Sequence, residues 1–155
     1  LHLDVHDITA VERPPMVIAA PVNLGFSRGN NVALRRVTAT YSFIVNPDLV
    51  FLEAQPQTLE RLHAFMESAP GVGIVAPRLQ LPDGAVQPSC MRFPRFFDHP
   101  IHRLELHRKY AWARKRVERL HMEDVDHTGT RPIDWATGAA LFVRGSWFRV
   151  AGFFD

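Results

Sequence analysis

Asn46-Pro47-Asp48 follows directly on the apolar run Tyr41 to Val45, so the aspartate would leave the end of a buried strand on a stiff turn. A lone carboxylate so placed suits a hard cation such as Mg or Mn, provided that a substrate's phosphates complete the coordination shell. Such an ion offsets the negative charge that builds on a departing diphosphate. Asparagine, proline and aspartate are also ordinary turn residues, and by itself the tripeptide reads first as a plain turn. Upstream, Asn23-Leu24-Gly25-Phe26-Ser27-Arg28-Gly29-Asn30-Asn31 brings a glycine-containing turn to the entrance of a helix. Free N–H groups and the positive end of the helix dipole there suit a polar or anionic ligand, and Gly25 and Gly29 permit close backbone approach. The plainer alternative is a helix-capping loop.

The elements that must position these residues can be traced along the chain. Leu1, Leu3 and Val5 alternate with His2, Asp4 and His6, a period of two that predicts a half-exposed strand. Met16 to Ala20 is an apolar run of strand length. Ser27 is expected to cap a helix carrying Val32, Ala33, Leu34 and Val37, and Tyr41 to Val45 forms the next strand. Leu59, Leu62, Met66 and Ala69 recur at helical spacing up to Pro70-Gly71, and a strand over Gly73 to Ala76 follows. Leu79, Leu81 and Val86 flank Pro82-Asp83-Gly84, which predicts a hairpin. One long helix is expected from Pro100, with Leu106, Tyr110, Ala113, Val117 and Leu120 on a single stripe. Ile133 to Trp135 and Ala139 to Val143 read as further strands around the Ala136-Thr137-Gly138 turn. Strands alternating with helices predict an α/β fold with a mostly parallel sheet flanked by helices, and ligands of such sheets gather beyond the strands' carboxyl ends. Asn46 to Asp48 is placed accordingly.

The 155 residues suit one domain, with 46% hydrophobic and 22% charged residues, a balance unlike that of a disordered chain. The net charge of +2 gives no ground for a nucleic-acid partner, and none is expected. Cys90 is the only cysteine, which excludes an intrachain disulfide and agrees with a reducing compartment. The longest apolar runs fall far short of the ~20 residues that span a bilayer. Leu1 to Asp7 lacks both an initiator methionine and a signal-peptide pattern, and Gly152-Phe153-Phe154-Asp155 stops within an aromatic stretch, so the sequence reads as truncated at both ends.

The segments Asn23-x-Gly25-Phe26-x-x-Gly29-Asn30-Asn31 and Asn46-Pro47-Asp48, in that order, resemble the family 2 glycosyltransferases of the GT-A fold, especially their bacterial rhamnosyltransferase-like branch. The resemblance continues through Ala76-Pro77-Arg78-Leu79, Pro82-Asp83-Gly84, Gln87-Pro88-Ser89-Cys90, Arg92-Phe93-Pro94, Trp135-Ala136-Thr137-Gly138-Ala139-Ala140 and Val143-Arg144. It implies an incomplete GT-A-like, Rossmann-related domain. Within it, a donor-binding part spans about 1–94, a basic helical insertion about 98–127 and an acceptor-side part about 132–155. It further implies that Asp48 contacts Mg or Mn, and that Asn23, Gly25, Phe26, Gly29, Asn30, Asn31 and Asn46 line the nucleotide-sugar site. Trp135, Thr137, Gly138 and Ala139 would face the acceptor, the tryptophan ring stacking on a sugar unless it is a core residue. The implied partners are a nucleotide-diphosphate sugar, with dTDP-rhamnose as the expected donor, and a growing glycan or lipid-linked acceptor. A cytoplasmic location follows, extending to the inner face of the cell membrane.

The same resemblance requires a general base after a Gly-Gly-Phe-Asp segment, beyond Asp155, and no base is assigned here. Glu123-Asp124-Val125-Asp126 precedes Trp135, so it is read as a solvated acidic loop. His2, Asp4 and His6 would share one strand face and could bind a metal, although a polar strand face serves solubility equally well. Asp7 is a remnant candidate near the nucleobase. Between Ile101 and His121 stand seven Lys or Arg residues against two Glu, with Tyr110 and Trp112 interspersed. That pattern suits peripheral contact with anionic lipid or, more plainly, a solvated helix covering a sheet. Two other classes therefore stand beside the enzyme: a catalytically incomplete nucleotide-sugar-binding or structural fragment, and a membrane- or partner-binding module using the basic helix.

Overall fold

The computed structural model describes residues 16–155. In chain order the elements are α1 (Gly25–Leu34), β1 (Tyr41–Val45), α2 (Thr58–Ser68), β2 (Ile74–Val75), β3 (Leu79–Gln80), β4 (Val86–Gln87), β5 (Cys90–Met91), α3 (Asp98–Arg103), α4 (Leu106–Lys109), α5 (Ala111–Leu120), β6 (Trp135–Ala136), β7 (Ala140–Arg144) and α6 (Gly145–Ala151). They divide into two units, one built from the chain up to Val75 together with Ala140–Asp155, the other from Ala76–Ala139.

The first unit is organised by β7. Its Ala-Leu-Phe-Val run is buried at all four positions, the pattern of a strand covered on both faces. It pairs antiparallel with β1 from Tyr41↔Arg144 to Val45↔Ala140, and antiparallel with β2 through Ile74↔Val143 and Val75↔Phe142, giving the order β1-β7-β2. The two outer strands therefore run in the same direction on either side of a reversed central one. Every strand pairing among the described residues is antiparallel. The largely parallel sheet expected from the alternation of elements thus has no counterpart in these pairings. Phe142 packs with Leu62 and Met66 of α2, and Tyr41, Phe43, Val72 and Val75 close around them. The Phe142 ring stacks on Tyr41 at 5.4 Å and meets Phe43 edge-on at 5.9 Å, the arrangements that ring quadrupoles favour.

Arg144, the last residue of β7, ties this core together. Its guanidinium donates to the Tyr41 hydroxyl at 2.7 Å and to the carbonyls of Val72 at 3.2 Å, Ala69 at 3.4 Å and Met66. Met66 and Ala69 stand at the carboxyl end of α2, where helix carbonyls lack intrahelical partners and the dipole attracts a cation. Tyr41 in turn donates to Glu67 at 2.6 Å, and that bond to a carboxylate holds the phenol's pKa above its ordinary value.

The second unit contains the predicted hairpin: β3 pairs with β4, and the Leu81 amide donates to the Ala85 carbonyl at 2.8 Å across the Pro82-Asp83-Gly84 turn. A second antiparallel pair joins β5 to β6. The long helix expected from Pro100 is instead three short ones. Glu105 breaks it with a left-handed backbone at φ 52°, and Tyr110 breaks it again with an extended one. Two of them, α3 and α5, are tied together through Asp98, which is 3% exposed and sits in the first turn of α3. Its carboxylate accepts from the Arg95 amide at 2.7 Å and Arg116 Nε at 3.0 Å, with Arg119 at 3.6 Å. Burial is the largest single influence on Asp98 and acts to raise its pKa. The Arg95 amide and the two guanidinium groups outweigh it, so the carboxyl titrates below its ordinary value.

Two expected strands have no place in this description. Met16 to Ala20 carries no strand and is exposed throughout, because an apolar run becomes a strand only where a neighbour pairs with it. The alternation over Leu1 to Val5, the His2-Asp4-His6 face and Asp7 lie outside the described residues. No described helix is long and apolar enough to cross a membrane.

Candidate functional site

The glycine-containing segment forms α1 as expected, but its start differs in detail. Ser27 lies inside the helix, and the residue at the cap position, Leu24, has no side chain able to serve it. Asn23 does this work from one position earlier, its side-chain oxygen accepting the Gly25 amide at 2.8 Å. Gly25 has φ +71°, a left-handed conformation that L side chains rarely adopt, so the turn into α1 requires glycine for its backbone. Gly29 is different: its dihedrals are helical, and a Cβ built on it meets nothing within 4 Å.

The asparagines of the segment are committed inside the protein. Asn30 donates its side-chain amide to the Phe26 carbonyl one turn back, at 2.8 Å. Asn31 makes a two-way clasp on Phe154, donating to its carbonyl at 2.8 Å and accepting its amide at 3.1 Å. Phe26 reinforces this edge-on against the Phe154 ring at 5.3 Å, and Arg35 lies over the Phe153 ring at 4.6 Å. Asn31 and Phe26 therefore anchor α1 to the segment after α6. A sugar or phosphate would find the first-turn amides of α1 beyond that of Gly25, which no helix carbonyl can serve, more available than these carboxamides. A shallow depression in the first unit, bounded by Leu34, Ser42, Val143, Gly145, Phe148 and Phe153, contains none of the residues expected to bind the donor.

The turn after β1 keeps its expected position. Asn46 is half-buried and its carbonyl accepts the Leu49 amide at 3.3 Å, closing the turn. Since Val45 pairs with Ala140, the turn leaves the sheet at the end where β7 begins. Asp48 is exposed, and among the described residues its carboxylate has no hydrogen bond or ion pair. That sets it apart from Asp83, Asp98, Asp124, Asp126 and Asp134, each of which holds a backbone or side-chain donor. No group of three or more His, Cys, Asp or Glu among the described residues could hold a metal ion. The protein's own donors therefore fit a Mg or Mn ion only where phosphate oxygens supply most of the shell, with Asp48 as the one carboxylate.

Trp135, Thr137, Gly138 and Ala139 belong to the second unit. Trp135 is 41% exposed, pairs with Met91 in the β5/β6 ladder and donates its indole N–H to the Arg92 carbonyl at 3.3 Å. The Thr137 amide donates to the Ser89 carbonyl at 2.9 Å. The indole is thus held with part of its surface open, as stacking on a sugar ring would need, and not enclosed as a core residue. The acidic loop is also accounted for. Asp124 accepts from Arg92 at 2.7 Å, which depresses its pKa, and Asp126 accepts from Thr128, with the same effect. Arg92 and Arg144 hold these arrangements together without a sequence motif that marks either one. Their signal in the sequence is slight, since each follows an apolar strand residue within a segment of the glycosyltransferase resemblance.

Comparison with known proteins is consistent with the resemblance at a coarse level. The chain is 25% identical over 159 aligned positions to an N-acetylglucosaminyl-diphospho-decaprenol L-rhamnosyltransferase from each of two strains of Mycobacterium tuberculosis. The relationship is to a glycosyltransferase. The alignment covers 94% of this chain, which spans about half (50%) of the length of these curated relatives. No protein-family model matches the chain, and no solved structure matches it.

Proposed function

We propose that this chain is the nucleotide-sugar-binding part of a metal-assisted glycosyltransferase of the GT-A type, with a lipid-linked or growing glycan as acceptor and a dTDP-linked rhamnose as donor. The observation that carries the proposal is the alignment along 94% of the chain with an enzyme whose name states a rhamnosyl transfer to N-acetylglucosaminyl-diphospho-decaprenol. The uncommitted Asp48 carboxylate, on a closed turn at the exit of β1, supports the metal assignment. In the transfer, an acceptor hydroxyl attacks the anomeric carbon while the bond to the diphosphate oxygen breaks. A Mg or Mn ion bound beside Asp48 would supply the positive charge that the leaving diphosphate needs. Within the first unit, Asp48 would hold that ion and the first-turn amides of α1 beyond that of Gly25 would receive diphosphate oxygens; in the second unit, taken by itself, the open Trp135 face would stack on a sugar.

Calorimetric titration with UDP and dTDP, with and without manganese, tests this directly. Asp48→Ala is expected to lower the manganese-dependent affinity at least about tenfold. Unchanged affinity in the variant would remove Asp48 from the site. Gly29→Ala offers an independent check on the α1 assignment. With open space at its Cβ and helical dihedrals, the substitution should raise stability by about 1 kcal/mol. If a nucleotide lies against that backbone, the methyl group will at the same time weaken dTDP binding, and a variant that gains stability with undiminished binding would show α1 to be scaffold alone.

A further inference from the structure

The charge of this protein is segregated. Seven Lys or Arg stand against two Glu between Ile101 and His121, an excess larger than the +2 of the whole chain. Some of these cations are committed: Arg116 and Arg119 to Asp98, and Arg108 to Glu105. Arg103, Lys109, Arg114 and Lys115 are exposed and have no ion-pair partner among the described residues. Helix α5 shows how they come to face outward. Ala113 is fully buried, and Val117 and Leu120 follow it on the inner stripe, so Lys115 projects from the opposite side, with Arg114 on one flank and Trp112 on the other, all three exposed.

That stretch, together with the residues just before it, exposes large apolar side chains that folding does not use. Phe96 is 87% exposed, Leu104 66%, Phe97 59% and Trp112 55%. Tyr110 lies against Trp112 with centroids 6.2 Å apart, while Phe96 and Phe97 meet edge-on at 89°. Apolar groups in water beside unpaired cations are costly to a solvated helix but match an interface whose surface is anionic and whose depth is hydrocarbon. Tyr and Trp favour that interface because one end of each is apolar and the other polar. The perpendicular phenylalanine pair and the aliphatic Leu104 suit acyl chains better than a stack of nucleobases, which needs open aromatic faces.

We propose that the α3–α5 region of the second unit docks on anionic membrane lipid. Arg103, Lys109, Arg114 and Lys115 meet headgroup phosphates, and Phe96, Leu104 and Trp112 enter the interface. The proposal does not rest on the glycosyltransferase reading. Its test, with no nucleotide present, is sedimentation of the whole chain with phosphatidylcholine vesicles and with vesicles containing 30 mol% phosphatidylglycerol, a fraction set at roughly the anionic content of a charged leaflet. The expected result is binding to the second kind only, weakening with salt, with a blue shift in tryptophan emission that Trp112→Phe abolishes. Arg114→Glu with Lys115→Glu is expected to reduce partitioning at least about 25-fold, from about fivefold per cation removed. Both residues are exposed, and an unchanged far-ultraviolet circular dichroism spectrum will show that the variant is folded. Equal binding to both vesicle types, full binding by the folded double variant, or binding to a single-stranded oligonucleotide and not to vesicles would overturn the proposal.

Discussion

Asp98→Ala is expected to destabilise the second unit by about 3 kcal/mol, measured as the shift in its urea unfolding curve at neutral pH. The carboxylate is 3% exposed and is the common partner of an amide and two guanidinium groups. Removing it takes from Arg116 and Arg119 the buried carboxylate that both of them meet, and that loss is far larger than the loss of a surface pair. The pH dependence has a definite sign. Because the folded carboxyl titrates below its ordinary 3.8, the folded state holds fewer protons than the unfolded chain in that region. Its contribution is complete above the ordinary value and is lost as the pH falls from there through the depressed one. The gap between the parent and the variant should therefore narrow on acidification below 3.8 and stay constant between pH 5 and pH 7, roughly the range over which no carboxylate of ordinary pKa titrates. A gap that widened in acid would refute the assignment of Asp98 as an ionised anchor.

Arg144→Ala should have an effect of similar size on the first unit, about 3 kcal/mol. The guanidinium serves the Met66, Ala69 and Val72 carbonyls and the Tyr41 hydroxyl at once, all part-buried, so its removal strands several acceptors together. Arg144→Met keeps most of the apolar stem and isolates the hydrogen-bonding part. Arg144→Lys should recover little, because a single ammonium cannot span four acceptors in a planar fork. Unfolding followed by circular dichroism decides it, and a midpoint close to the parent's in Arg144→Ala would mean that water replaces the guanidinium at little cost.

Elements whose signal is local were legible in the sequence. The Tyr41 to Val45 run, the stripe through Leu62 and Met66, the Pro82-Asp83-Gly84 turn and the buried Ala139 to Val143 run all correspond to observed elements. Periodicity could not reveal where the α3–α5 stripe is interrupted, since the apolar spacing continues across Glu105 and Tyr110 while only the backbone changes. Nor does pattern state strand direction: β7 runs antiparallel to both neighbours, a consequence of how the chain returns after Ala139. At the candidate site, the turn bearing Asp48 could be read from residue types alone. The use of Asn31 could not, because its partner Phe154 is 123 positions away and a carboxamide suits a sugar hydroxyl as well as a peptide group. The coarse glycosyltransferase relationship came from the order of several short segments, each of them weak alone.

The position of β7 between β1 and β2 has a bearing on biosynthesis. During translation, Tyr41–Val45 and Ile74–Val75 leave the ribosome long before Ala140–Arg144, the strand that each must bond. The whole of the uninterrupted stretch Ala76–Ala139 has to be made in between. For that interval the nascent chain carries two unsatisfied strand edges, the kind of surface that recruits chaperones or other unfinished copies of itself.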